Sequence, residues 1–291
     1  LKNRLSFDEG NKPSIKKQSF ARGNTAEKRT ITIMNTYSVL NQPTTRFSNR
    51  VENYVRYRPS YPSAVVDFFE EKLGLHSGQT IADIGSGTGL FAEQLLKRGY
   101  NVTCVEPNEE MRQAGVRKLG QYPGFQSLQH AAEETGLEES SVDLITVAQA
   151  FHWMDPVLTK QEFARILRPG GHRVLAWNIR MNSSPFLQAY NELKVDFAIE
   201  GRVNNEMDKE ILETFFEPEE MQLQTFPNVQ WLDFDGLKGQ LLSSSQAPLP
   251  GYSTYDTMIS SLVQLFVAHN ENGFVKMEYE TRLYWGGPAK A

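Results

Sequence analysis

The sequence predicts a doubly wound α/β sheet with helices on both faces and a helical cap over one edge. Three observations carry this reading. Ile81-Ala82-Asp83-Ile84 is a short strand that runs into Gly85-Ser86-Gly87-Thr88-Gly89, and a helical pattern opens at Leu90. From residue 80 to residue 177 short apolar segments alternate with amphipathic ones, as in a parallel sheet flanked by helices. The glycine turn, Glu106 and the segment 148–153 all fall at predicted strand C-termini. That is the edge where doubly wound sheets bind ligands.

Composition sets the outer bounds. The chain has 291 residues, 40% of them hydrophobic, which suffices for a buried core. Its net charge of −5 hides an asymmetry. Residues 1–33 carry eight Lys/Arg against three Asp/Glu, and the remainder carries 22 against 32. The acidic remainder argues against a nucleic-acid partner, which needs a basic face. A single cysteine, Cys104, sits in the apolar run Val102–Val105 and reads as a core residue in a reducing compartment. No stretch approaches the ~18 apolar residues of a membrane span. The expected location is cytoplasmic.

In chain order, residues 1–33 are polar and aperiodic and are expected to be disordered. Met34 is the expected natural start. Residues 34–75 form an expected N-terminal helical lid. Phe47, Val51, Tyr54 and Val55 share a helical face, Pro59 and Pro62 end it, and Ser63–Leu73 is a second helix. The Tyr54/Tyr57/Arg58 cluster is either a docked amphipathic surface or a lid over a bound anionic group.

Residues 76–178 are the expected core. Its strands are Thr80–Ile84, Asn101–Val105, Phe125–Gln129, Val142–Val147 and His172–Trp177. Its helices are Leu90–Lys97, Glu109–Leu119 and one capped by Asp155 with Pro156 at its first position, running to Leu167. Residues 179–250 break the rhythm. Helical patterns at 185–198 and 207–215 and a strand-like Gln230–Phe234 read as a cap that shapes a substrate pocket. Residues 251–291 supply a helix at 254–269 and a closing strand at Lys276–Trp285.

A glycine turn after a strand has two common uses. Dinucleotide sites follow Gly-x-Gly-x-x-Gly, but here the third position is Leu90. Asp83 would repel a pyrophosphate and attract an ammonium group. The turn and the following helix start offer backbone N–H groups to a carboxylate. Glu106 follows Gly85 by 21 residues, the place of a ribose-binding acid. Together these residues describe an amino acid joined to a nucleoside.

Asp83-x-Gly85-x-Gly87-x-Gly89 with Glu106 resembles the class I S-adenosylmethionine-dependent methyltransferases. Ala131-Ala132-Glu133-Glu134 before Ser141–Ile145, and Leu167-Arg168-Pro169-Gly170-Gly171, are similar to that family's adenine turn and the turn before its fifth strand. The resemblance covers residues 47–178. It implies that Gly85 and Gly87 meet the methionine portion of the cofactor, Glu106 the ribose and Ala132 the adenine through its backbone. Many members carry Asp just before that alanine. Ala131 stands there here, so Glu133 is the candidate substitute. Tyr54 and Arg58 resemble an element that closes over the cofactor, and Gln149 falls in the segment that faces the transferable methyl. Gln149-Ala150-Phe151-His152-Trp153 resembles a type 11 subgroup of small-molecule methyltransferases related to the trans-aconitate enzymes. His152 is either the general base or a structural residue packed on Trp153.

The implied fold is a Rossmann-like, seven-stranded sheet, mostly parallel with the last strand antiparallel. The implied cofactor is S-adenosyl-L-methionine. The implied reaction is methyl transfer to a small-molecule acceptor, at oxygen, by in-line displacement. The alternatives are an NAD(P)-dependent oxidoreductase and a catalytically silent S-adenosylmethionine-binding protein. No metal is expected, because the five histidines show no paired ligand spacing. A monomer or homodimer is expected.

Overall fold

A computed structural model describes residues 50–199 and 208–287. The expected disorder of residues 1–33 and the start at Met34 lie outside the described residues.

The chain opens with helix α1 (Val51–Tyr57) and helix α2 (Ala64–Glu71). Then strands and helices alternate: β1 (Thr80–Ile84), α3 (Ala92–Leu96), β2 (Asn101–Val105), α4 (Glu109–Leu119), β3 (Phe125–Leu128), β4 (Val142–Ala148), α5 (Pro156–Ile166) and β5 (Leu167–Arg180). Helices α6 (Pro185–Asp196) and α7 (Lys209–Phe216) follow, then β6 (Gln222–Leu232), α8 (Phe234–Leu242), α9 (Tyr255–His269) and β7 (Val275–Gly286). The seven strands form one sheet in the order β3-β2-β1-β4-β5-β7-β6. The first five are parallel, and β7 runs antiparallel between β5 and β6. The expected sheet, with its reversed last strand, is the one observed.

The pleat explains why the central strands are apolar throughout. Successive side chains point to opposite faces. Ile81, Leu144 and Val174 therefore join one core cluster with α2 and α3. Their neighbours Ala82, Ile145 and Leu175 join a second, with Phe163 of α5 and Phe215 of α7. A third cluster, around Leu187, Tyr190, Leu241 and Met258, lies among α6, α8 and α9 and packs on Met277 and Tyr279 of β7.

Caps work as their residues dictate. The Asp155 carboxylate accepts from the N–H groups of Val157 and Leu158 at 2.9 and 3.0 Å, with Pro156 opening α5. Asn108 caps α4 by accepting from Met111 N.

Three local expectations change. The helix after the glycine turn starts at Ala92 rather than Leu90, because residues 87–91 continue as turns. The strand placed at Gln230–Phe234 is the end of β6, which begins at Gln222. Residues 222–232, inside the stretch read as a cap, are therefore the sheet's edge strand. Helix α8 was not expected at all. Gly236 and Gly239 weaken its intrinsic propensity by about 1 kcal/mol each, and packing overrides them.

Helix α1 is fastened to α8. The buried Arg50 guanidinium donates to the carbonyls of Leu242 and Ala247 at 2.8 and 2.7 Å. Arg58 donates to Ser243 O at 2.9 Å, and Gln230 Nε2 to Tyr57 O at 3.1 Å. Asn228 Nδ2 donates to Ser60 O at 2.7 Å. The N-terminal helical segment is thus held against the C-terminal half of the sheet.

Gly239 makes this docking possible, since a Cβ there would overlap the Tyr57 ring. Glycine to alanine inside a helix ordinarily stabilises by about 1 kcal/mol. Gly239→Ala should do the opposite, lowering stability by about 1–2 kcal/mol through overpacking. Chemical denaturation reads the sign; a stabilised variant would show that Tyr57 is not seated there.

Candidate functional site

The site is built at the carboxyl ends of β1, β2, β4 and β5. Gly85, Gly87 and Gly89 have φ of +64°, +56° and +73°, a region that glycine enters without steric cost. At Gly85 a Cβ would stand 2.6 Å from Ala150 Cβ and 2.9 Å from Met154 Cε. Bare backbone is therefore required at that position.

The turn is held by β2. Gly85 N and Ser86 N donate to Val105 O at 2.8 and 3.2 Å. Gly87 N donates to Glu106 Oε2 at 2.8 Å, and Asn108 N to Glu106 Oε1 at 2.9 Å. This departs from the expectation that the turn presents open N–H groups to a ligand carboxylate. Buried backbone donors must be paired, and Val105 and Glu106 pair them. Burial raises the Glu106 pKa against the lowering effect of those two amides.

Asp83 lies fully buried below the turn. Its Oδ1 accepts from Thr146 Oγ1 at 2.8 Å, and the Ala92 backbone amide also acts on the carboxyl. Burial pushes its pKa up from 3.8 to about 7; the Thr146 hydroxyl opposes this, and the charge of Glu106 adds to it. Asp83 was expected to face an ammonium group, but it does not stand on the wall of the cavity above.

That cavity has a volume of about 290 Å³. Of the residues singled out in the sequence, Arg58, Gly85 and Gln149 stand on its wall. Gln149 has φ +59° and donates through Nε2 to Asn178 O at 3.1 Å. Ala132 is buried, and Glu133 accepts from Asp155 N at 2.8 Å, both away from this wall. Tyr54 lies in α1, and its side chain lies outside the described residues.

His152 sits in a single helical turn, Phe151–Trp153, with its ring 4.8 Å from that of Trp153. Its Nδ1 is buried with no hydrogen-bond partner. Burial, with the charge of Arg58, lowers its pKa to about 4. It is neutral at physiological pH, and it stands off the cavity wall.

Sequence reading missed other residues of the wall, among them Trp177 and Arg180 of β5, Lys194 of α6, Gln240 of α8 and Tyr279 of β7. Arg180 lies just past the strand expected to end at Trp177, and Tyr279 was read only as an alternating strand residue. Among the described residues no cluster of His, Cys, Asp and Glu could hold a metal ion, and no helix is long and apolar enough to cross a membrane.

The Asp83 carboxyl gives a pH signature. Below about pH 4 it is protonated in both the folded and unfolded chain. Between about pH 4 and pH 7 the folded chain keeps the extra proton, so stability falls as pH rises through that window. Asp83→Asn removes this dependence. Between pH 4 and pH 8 the wild type should lose up to about 4 kcal/mol relative to the variant, read by urea denaturation at each pH. A pH-independent difference would mean that the carboxyl is not held protonated.

The similarity of this chain to known proteins falls on these elements. Residues 82–175 match the family model described as a methyltransferase domain. An uncharacterized methyltransferase of Mycobacterium tuberculosis is 40% identical over 134 residues, 46% of this chain and 52% of that protein. The chain spans about half the length of the curated relatives it matches. A solved structure assigned as a type II methyltransferase, from Anaeromyxobacter dehalogenans, aligns with TM-score 0.60 at 18% identity, over 80% of this chain and 98% of that one. Phosphoethanolamine N-methyltransferase 2 of Haemonchus contortus, solved with S-adenosyl-L-methionine, aligns with TM-score 0.53 at 15% identity, over 87% and 60%. These two show the fold. The sheet order, the glycine turn bound by Glu106 and the matched segment agree: residues 82–175 form a methyltransferase domain of the S-adenosylmethionine-dependent kind.

Proposed function

We propose that this chain transfers the methyl group of S-adenosylmethionine to a small-molecule acceptor, at an oxygen atom, by in-line displacement. The observation that carries the reading is the Glu106 carboxylate, bonded to the amides of Gly87 and Asn108 beside a cavity walled by Gly85 and Ser86. Each Glu106 oxygen retains a second lone pair for a ribose hydroxyl. Gly85 and Gly87 would lie along the methionine portion, with Arg58 toward its carboxylate and Gln149 beside the methyl. Asp83, buried below the turn, favours a cationic group above it through space, without contact. Ala132 and Glu133 would border the adenine, and Tyr54 would close over the cofactor from α1.

When bound, S-adenosylmethionine supplies a sulfonium methyl that is already strongly electrophilic. The chain's work is to align the acceptor and exclude water. Attack through oxygen agrees with the wall better than attack through nitrogen. An amine arrives as an ammonium and must lose a proton, and Arg58, Arg180 and Lys194 on the wall repel it. His152 is neutral but off the wall, so we assign it to packing on Trp153.

Calorimetry with S-adenosylhomocysteine tests the cofactor half. The wild type should bind it and should not bind NAD. Glu106→Ala should weaken binding by at least about tenfold, the scale of one or two lost hydrogen bonds to a charged group. NAD binding without S-adenosylhomocysteine binding would overturn the assignment. Incubating metabolite extracts with methyl-labelled cofactor then identifies the acceptor; label found only on macromolecules would refute the small-molecule claim. With that acceptor, His152→Asn should keep kcat within about threefold and leave the pH–rate profile unchanged. A hundredfold loss would restore His152 as the general base.

A further inference from the structure

We infer that Arg180 and Lys194 form a seat for an anionic oxygen group, a carboxylate or a phosphate, on the methyl acceptor. This rests on the cofactor reading above and adds the acceptor's chemical class. The wall of the cavity carries three cationic side chains, Arg58, Arg180 and Lys194, and no Asp or Glu among the described residues. Arg58 is assigned to the cofactor carboxylate, which leaves the other two.

Arg180 ends β5 and is held in place. Its guanidinium lies 5.0 Å from the centroid of the Tyr190 ring and 5.9 Å from that of Tyr279. Its Nη1 donates to Asn191 Oδ1 at 3.2 Å, and its Nε is buried with no hydrogen-bond partner. The two rings and Asn191 hold the guanidinium in place, and a guanidinium N–H donor binds a carboxylate or phosphate strongly.

Lys194 of α6 has no carboxylate partner among the described residues. The acid Glu278, on the neighbouring strand β7, is committed to Lys276 and Ser183. The Arg180 charge, with burial and the charge of Arg58, holds the Lys194 ammonium well below the usual lysine range. Two like charges on one partly buried wall are unfavourable to each other until an anion enters between them. A bound cofactor, with its sulfonium and ammonium, adds net positive charge to the same space and strengthens that demand.

The test uses the whole chain saturated with S-adenosylhomocysteine, at fixed ionic strength. Succinate, inorganic phosphate and the neutral succinamide are titrated separately, with binding read by calorimetry and thermal shift. Succinate or phosphate should bind and raise Tm, and succinamide should not. Preference for succinate assigns a carboxylate acceptor, and preference for phosphate assigns a phosphorylated one. Lys194→Gln and Arg180→Gln should each weaken the preferred anion at least tenfold while S-adenosylhomocysteine affinity stays within twofold. Lys194→Arg should restore most of the loss. If the Arg180 variant does not fold, the two Lys194 variants decide alone. The inference is overturned if neither anion binds, if the folded variants bind it as the wild type does, or if succinamide binds equally well. Failure of S-adenosylhomocysteine to bind, with anion binding intact, would sink the cofactor reading and leave the seat.

Discussion

The structure at the sheet edge depends on one carboxylate. Glu106 ends β2 and accepts from Gly87 in the turn after β1 and from Asn108 at the start of α4. The turn after β1 and the start of α4 are therefore set by one side chain. Without it, the Gly87 amide would need another acceptor or water, and a buried unpaired amide is costly. The glycines supply the freedom to adopt the turn, and Glu106 selects one conformation from that freedom. The binding edge is preorganised by contacts inside the chain, before any ligand contributes.

Asp83 sharpens that constraint. It lies in the same low-dielectric region as Glu106, and burial and the neighbouring charge both favour its protonated form. The chain nevertheless keeps an acid there, bonded to Thr146 and deeply buried. A leucine in that place would avoid the penalty. Destabilised charges of this kind concentrate where a ligand will change their environment. A cation above the turn would shift Asp83 back toward its ionised form, coupling ligand charge to a group it does not touch.

Much of the fold was legible because the core strands are buried on both faces. Ile81–Ile84, Val102–Val105 and Leu144–Val147 read as apolar runs, and Asp155-Pro156 marked a helix start with a physical mechanism. What was hidden lies at the sheet's edge and in the cap. Strand β6 is exposed along most of its length, so Gln222–Val229 shows little apolar signal, and Pro227 obscures it further. Helix α8 was concealed by Gly236 and Gly239, the second of which leaves the space that Tyr57 occupies. Of the residues singled out from the sequence, Gly85, Arg58 and Gln149 stand on the cavity wall and Glu106 holds the turn. Spacing could not tell that Asp83 sinks below the wall, or that Glu133 is bonded to Asp155 N.

The side of the cavity around Arg180 was the least legible, and the reason is topological. Arg180, Lys194, Gln240 and Tyr279 come from β5, α6, α8 and β7, segments that meet only because β7 reverses direction and inserts between β5 and β6. Net charge misleads here as well. The part of the chain beyond residue 33 is acidic, yet the cavity wall is cationic. Exposed surface charges are screened within about 10 Å at moderate salt, whereas groups on a low-dielectric wall act at nearly full strength on what enters. Two buried acids lie under the glycine turn, and cationic side chains line the cavity. That division separates the half of the site that the motif describes from the half that it does not.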